Sequence, residues 1–288
     1  MTIELNKLIL SRYIISRHLA SGGMADIYEA NDIVINKVVA LKFLKEKYLE
    51  SDYELELFKN EARYTAMFNH PHIMKIYNVG EYNKLPFMSI EFFKGKTLKE
   101  VLDSRGKFSY DEALDYMLQL LDAVSNIHEK EILHNDLKPD NIFLLSDGNI
   151  KICDFGIATH TFDKDQKEIL GSLNYVAPEV LQNKKYSIQS DIYSLGTIFF
   201  EFLTGRVIYF GSTSKEIMEA HLKEEIPSLK KFISLNNVDD LDYVIGKACA
   251  KVAVNRYKNV KEFMNDLNKI KRHERLKKGN IFTRLFSK

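Results

Sequence analysis

The chain has 288 residues, enough for one large domain or two lobes with ample core. Hydrophobic residues make up 45% and charged residues 28%, an ordinary balance for a soluble globular protein. The formal net charge of +1 names no acidic partner, so nucleic acid is not an expected ligand. In chain order, residues 13–19, 26–30 and 38–44 are short β-branched or aromatic runs bounded by Gly, Asn and Lys, which predicts strands. Ser51-Asp52-Tyr53-Glu54 has the spacing of a capping box, and Leu55, Phe58, Ala62 and Met67 continue at helical intervals. Strands are expected at 73–79 and 86–92, and Gly95 marks a break.

Beyond Gly95 the pattern turns helical. Ser109-Tyr110-Asp111-Glu112 is a second capping box, followed by a stripe of Leu114, Met117, Leu118, Leu121, Val124 and Ile127. Residues 142–145 and 150–153 read as strands joined at Asp147-Gly148. Further helices fit 188–203, 215–223, 240–251 and 260–272. The expected class is α+β: a small antiparallel strand-rich lobe with one main helix, a connector at 91–95, and a larger, mainly helical lobe.

The 2 cysteines, Cys153 and Cys249, have no metal-site spacing and form no disulfide framework, which fits a reducing cytoplasm. Cys153 reads as a small buried hydrophobe on a strand. No basic segment followed by an apolar run opens the chain, so no signal peptide is expected. No apolar stretch reaches the ~18 residues of a membrane helix. The run at 198–203 is broken by Glu201 and stops at Thr204-Gly205. The tail 271–288 is basic, with Glu274 opposing Lys271, Arg272, Arg275, Lys277, Lys278, Arg284 and Lys288. It reads either as a solvated terminus or as a weak attachment to an anionic membrane surface, with Ile281, Phe282, Leu285 and Phe286 on the apolar side. Liposome co-sedimentation with and without the residues after Arg272 separates the two.

The chemistry concentrates in His134-Asn135-Asp136-Leu137-Lys138-Pro139-Asp140-Asn141, followed by Asp154-Phe155-Gly156. Val39-Ala40-Leu41-Lys42 lies upstream and Ala177-Pro178-Glu179 downstream. One acid can orient an attacking hydroxyl, while the other acid and the amide can hold a divalent cation against a nucleotide triphosphate.

These motifs, in this order, resemble the serine/threonine protein kinases of bacteria that are related to the eukaryotic kinases. The resemblance covers residues 13–270, with a small lobe at 13–93 and a larger one at 94–270. It implies a two-lobed fold with ATP between the lobes, Mg²⁺ as metal with Mn²⁺ as a possible substitute, and protein substrates, the chain itself among them by autophosphorylation. It leaves the oligomeric state open. Relatives of this kind often continue into a membrane span, and this chain stops before any such segment. The resemblance makes Asp136 the catalytic base and sets Lys138 beside the γ-phosphate. It makes Asn141 and Asp154 the metal ligands, and Lys42 the cation on the α- and β-phosphates, paired with Glu61. Glu54 and Glu56 compete for that pairing, and Glu54 is better used by the cap. The phosphate loop is Leu19, Ala20, Ser21, Gly22, Gly23, Met24, Ala25, Asp26 and Ile27. Glu91 and Phe93 would meet the adenine through their backbones, with Ile90 guarding the back pocket. Glu179 would pair with Arg256, and Asp191 would cap the backbone of the catalytic loop.

Two departures stand out. The family expects glycine at positions 20, 22 and 25, and only Gly22 matches. An alanine forced into a left-handed conformation costs roughly 1–2 kcal/mol, about tenfold in affinity, and nothing if φ stays negative. Asn135 replaces the arginine that grips an activation-loop phosphate in regulated kinases. The middle of the loop, 162–168, has no Ser or Thr; Thr159, Thr161 and Ser172 flank it. The expectation is activity without phosphorylation there, with Asp163 or Asp165 in place of the phosphate and Ser172 bonding Asp136 and Lys138 through its hydroxyl. Two other readings stay open. One is a pseudokinase scaffold, favoured by the eroded phosphate loop. The other is a small-molecule phosphotransferase, opposed by Ala177-Pro178-Glu179.

Overall fold

The computed structural model describes residues 3–162, 171–274 and 276. The chain divides into two compact units, one of Met1–Lys94 with Cys153–Ile157 and the other of Gly95–Ile152 with Ala158–Lys288.

The first unit is a six-stranded antiparallel sheet: β1 (Leu8–Ile9), β2 (Tyr13–Ser21), β3 (Ala25–Asp32), β4 (Lys37–Leu44), β5 (Ile76–Tyr82) and β6 (Leu85–Glu91), in the order β1-β2-β3-β4-β6-β5. Side chains alternate across a strand, so Tyr13 and Ile15 of β2 turn inward while Ile14 between them is exposed. They join Leu41, Phe43 and Phe87 in the core, where Tyr13 meets Phe87 edge to face at 5.7 Å. The helix α1 (Asp52–Thr65) follows β4.

Three expectations need correction here. At Ser51 the capping box is not made: the hydroxyl donates to the Glu54 carboxylate and caps no backbone N–H. Met67 lies past the end of α1 and is exposed. The strand expected from 73 begins at Ile76, because Pro71 has no N–H and a turn closes from the Ile73 N–H to the His70 carbonyl at 3.2 Å.

The second unit carries α2 (Leu98–Arg105), α3 (Tyr110–Glu129), α4 (Pro178–Asn183), α5 (Ile188–Thr204), α6 (Ser214–Lys223), α7 (Val238–Ala248) and α8 (Val260–Lys271). Short strands β7 (Gly95–Thr97), β9 (Ile142–Leu145) and β10 (Ile150–Ile152) form one antiparallel sheet, and β8 (Ile132–Leu133) pairs with β11 (Thr159–His160). The box at Ser109 is made in both directions with Glu112. An equivalent box, Thr97 with Glu100, opens α2. Gly148 takes a positive φ of 81° in the β9–β10 turn, as the Asp-Gly pair requires.

Helix α5 is buried on every side, with Ile192, Leu195, Ile198, Phe199, Phe200 and Phe202 in the core. Gly196 lets α7 approach it: a Cβ there would sit 2.5 Å from Cys249 Sγ and 2.8 Å from Ala248 Cβ. Helix α7 stops at Ala248 instead of 251, and beyond its end the Ala250 carbonyl accepts from Arg256 Nε at 2.8 Å. Lys251 turns away to donate to the His221 carbonyl at 2.7 Å and to Tyr209 Oη at 2.8 Å.

His221 is fully buried, with Nδ1 2.8 Å from Tyr193 Oη. Burial, and then the Lys251 ammonium, lower its pKa to about 4. The unfolded chain therefore takes up a proton at a pH where the folded chain does not, so stability is full above pH ~6.5 and falls below it. Between pH 7 and pH 5 the unfolding free energy should drop by about 2 kcal/mol at this residue, and a His221→Phe variant should flatten that slope in urea titrations. Gly196→Ala should destabilise by about 1–3 kcal/mol, read from the same titrations, since neither Cys249 nor Ala248 has a flexible end that can yield.

Candidate functional site

In the first unit, β2 runs into β3 through a tight hairpin. Leu19, Ala20 and Ser21 end β2, Gly22, Gly23 and Met24 form the tip, and Ala25, Asp26 and Ile27 start β3. The Gly22 N–H donates to the Ala25 carbonyl at 2.8 Å. Ala20 pairs with Ile27 and Ser21 with Asp26. No residue of this hairpin has positive φ. The two alanines lie in extended backbone, so the left-handed strain considered above does not arise.

On β4, Lys42 Nζ lies 2.6 Å from both carboxylate oxygens of Glu61 on α1. Burial disfavours the Lys42 ammonium, but Glu61 and then Asp154 outweigh it, so its pKa is raised. Of the competing acids, Glu54 is taken by Ser51 and Glu56 is exposed. Asp154 has a positive φ of 65° and accepts from the Gly156 N–H at 3.2 Å. Phe155 is fully buried against Phe68, with ring centroids 5.2 Å apart. Cys153 is buried just beyond the end of β10. Ile90 is buried near the end of β6, Glu91 closes that strand and Phe93 follows it, half-buried.

In the second unit, residues 134–141 form a loop between β8 and β9. Asp136 is held by three donors: Lys138 Nζ at 2.7 Å, Asn141 Nδ2 at 3.0 Å and the Ser172 N–H at 3.2 Å. Ser172 thus reaches Asp136 through its backbone and not, as expected, through its hydroxyl, which has no partner among the described residues. Asn141 Nδ2 also donates to the Asp136 carbonyl at 2.9 Å, which leaves the amide oxygen as its remaining polar atom. Asp191, in the first turn of α5, accepts from the His134 and Asn135 N–H groups at 3.0 Å each and lies 2.8 Å from His128 Nε2. Arg256 makes a two-pronged contact with Glu179 at 2.8 and 2.7 Å, and Ser190 Oγ donates to the same carboxylate at 3.0 Å.

The structure therefore joins Lys42 with Glu61, and Asp136 with Lys138 and Asn141. Asp163 and Asp165, and the tail residues Ile281, Phe282, Leu285 and Phe286, lie outside the described residues. Among the described residues, no group of three or more His, Cys, Asp or Glu side chains could hold a metal ion. Thr159 joins the site unannounced by any motif: its hydroxyl accepts from Asn135 Nδ2 at 2.9 Å. So does Lys45, which reaches the hairpin between β2 and β3. A lysine three residues past Lys42 carries no distinguishing spacing, and a contact between positions 135 and 159 leaves no local mark.

Comparison with known proteins agrees with this geometry. Residues 13–286 match the family described as the protein kinase domain. A probable serine/threonine-protein kinase, PknB of Lactococcus lactis subsp. lactis, is 36% identical over 221 residues, covering 75% of this chain and 35% of that protein. The serine/threonine-protein kinase PrkC of Bacillus subtilis is 36% identical over 213 residues, covering 73% of this chain and 33% of its own length. PknB of Mycobacterium tuberculosis is 31% identical over 223 residues, covering 74% and 35%. The chain spans about a third of the length of these curated relatives.

Arg256 is wholly buried at its side chain, so Arg256→Ala leaves the Glu179 carboxylate without its cation. The expected loss is about 3–5 kcal/mol of stability, measured by denaturant unfolding.

Proposed function

The chain belongs to the protein kinase domain family, among the eukaryotic-like serine/threonine kinases of bacteria, and from that premise we propose that it transfers the γ-phosphoryl group of ATP to serine and threonine hydroxyls of proteins. The observation that carries this reading is the arrangement of Asp136, Lys138 and Asn141 on one loop. Asp136 orients the acceptor hydroxyl and takes its proton. Lys138, 2.7 Å from that carboxylate, shifts to the transferring phosphoryl group and offsets its charge. Lys42, charged and fixed by Glu61, holds the α- and β-phosphates. The tip N–H groups of Gly23 and Met24 cover the phosphates, and the backbone of Glu91 and Phe93 meets the adenine. Asn141 and Asp154 would bind Mg²⁺, with Mn²⁺ as substitute, to neutralise phosphate charge. The catalytic domain is assigned to residues 13–270, and the site of action to the cytoplasm. No helix among the described residues is long and apolar enough to cross a membrane.

The same reading covers regulation. Asn135 is too short to grip a distant phosphate and instead bonds Thr159 on β11, so the loop is tied without a modification. Lys42, Asp136, Asn141 and Asp154 are all present, which favours catalysis over a scaffold.

With radiolabelled ATP and a generic basic protein as acceptor, Asp136→Ala and Asp154→Ala should each lose about 10²–10⁴ of the wild-type rate. Undiminished transfer in both variants refutes the roles given. Nucleotide binding without transfer in any form favours the scaffold. Phosphatase-treated enzyme should keep its rate; a complete loss that is reversed by loop phosphorylation contradicts the regulatory part.

A further inference from the structure

The phosphate-loop hairpin is clasped by a lysine that none of the roles above includes. Lys45 follows directly on β4, three residues after Lys42. Its backbone N–H donates to the Met24 carbonyl at 2.9 Å. Its Nζ donates to the Gly22 carbonyl at 2.5 Å. The same Nζ is 3.7 Å from Asp26 Oδ1, an atom that also accepts from Ser21 Oγ at 2.6 Å. One residue thus grips the hairpin tip at two carbonyls and stands beside the acid that ties its two strands. The Lys45 side chain is only 23% exposed, so it lies along the sheet and does not trail in solvent.

The consequence follows from peptide geometry. Every peptide bond among the described residues is trans, so a carbonyl and the N–H that follows it point in opposite directions. Drawing the Gly22 carbonyl onto Lys45 turns the Gly23 N–H away from Lys45. That N–H has no partner among the described residues. The space beside Gly23 is open, since a Cβ built there meets nothing within 4 Å. An unpaired backbone donor beside open space suits an anion. A loop with glycine at only one of the family's three positions does not set such a donor by glycine freedom, because no residue of the tip has positive φ. A side-chain clamp supplies the orientation instead.

We infer that Lys45 is a positioning residue for ATP: by holding the Gly22 carbonyl, it aims the Gly23 N–H at a phosphate of the nucleotide. Lys45 itself touches no phosphate and acts through the main chain. The inference rests on the kinase reading, because it needs ATP as the ligand of this hairpin.

Isothermal titration of the full chain with ATP, ADP and adenosine, in the presence of Mg²⁺, tests it. Lys45→Met should bind ATP about tenfold more weakly than wild type, with adenosine affinity unchanged. Lys45→Arg, which keeps a donor to the carbonyl, should restore most of the ATP affinity. In a Gly23→Pro background, which removes the aimed N–H, Lys45→Met should cause no further loss. Equal losses for ATP and adenosine mean that Lys45 merely packs the sheet, and overturn the inference. So does a full additional loss in the Gly23→Pro background, which would mean that the ammonium meets phosphate directly. Wild-type ATP affinity in Lys45→Met overturns this inference alone. A wild-type chain without affinity for ATP overturns the kinase reading as well.

Discussion

Asp191 meets the main chain of the catalytic loop at two points, and the placing of Asp136 depends on that contact. The carboxylate is 1% exposed. Burial by itself would favour its protonated form, but His128 and the His134 N–H outweigh burial, and its pKa is lowered. An ionised acid with its hydrogen bonds satisfied can remain inside; one left without them would be costly. The two N–H groups that it accepts belong to His134 and Asn135. Asn135 has a left-handed φ of 67°, which asparagine tolerates better than most residues. The next residue is Asp136. A helix buried on every side thus fixes the backbone that presents the Asp136 carboxylate, the base of the proposed transfer.

The second unit uses this device again in the first turns of α5. Ser190, Asp191 and Ser194 are buried in the first turns of that helix, and each answers a loop. Ser190 donates to Glu179 and Ser194 to the Tyr175 carbonyl at 2.8 Å. Arg256 then closes the Glu179 carboxylate from the far end of the chain. Polar side chains at the head of an otherwise apolar helix position the segments 134–136 and 175–179. In the first unit the corresponding work falls to one strand. Lys42 and Lys45 leave the end of β4 three residues apart, one toward α1 and one toward the hairpin tip.

Much of this was legible in the sequence, where a local rule and a tertiary demand agree. The box at Ser109, the Asp-Gly turn, helix α5 and the pairs Lys42–Glu61 and Glu179–Arg256 all follow from spacing or from the family resemblance. The box at Ser51 failed because its hydroxyl found the Glu54 carboxylate before any backbone donor. The box at Thr97 obeys the same rule and went unread. Helix α7 ended early, and the Ala250 carbonyl beyond its end is satisfied by the nearby Arg256. The bond between Asn135 and Thr159 and the clamp of Lys45 were not legible. In each the spacing of the partners matches no helix, strand or turn period, so they are chosen by the fold alone.

The central claim is that Asp191 supports catalysis through the main chain of the loop and not through nucleotide binding. The most direct measurement is the steady-state kinetics of Asp191→Asn, with ATP as the varied substrate and a basic protein as acceptor. The amide keeps the shape of the acid but lacks its charge and its second acceptor oxygen. The expected result is a kcat lowered by about tenfold or more with KM for ATP unchanged. An unchanged kcat, or a loss confined to KM, would contradict it.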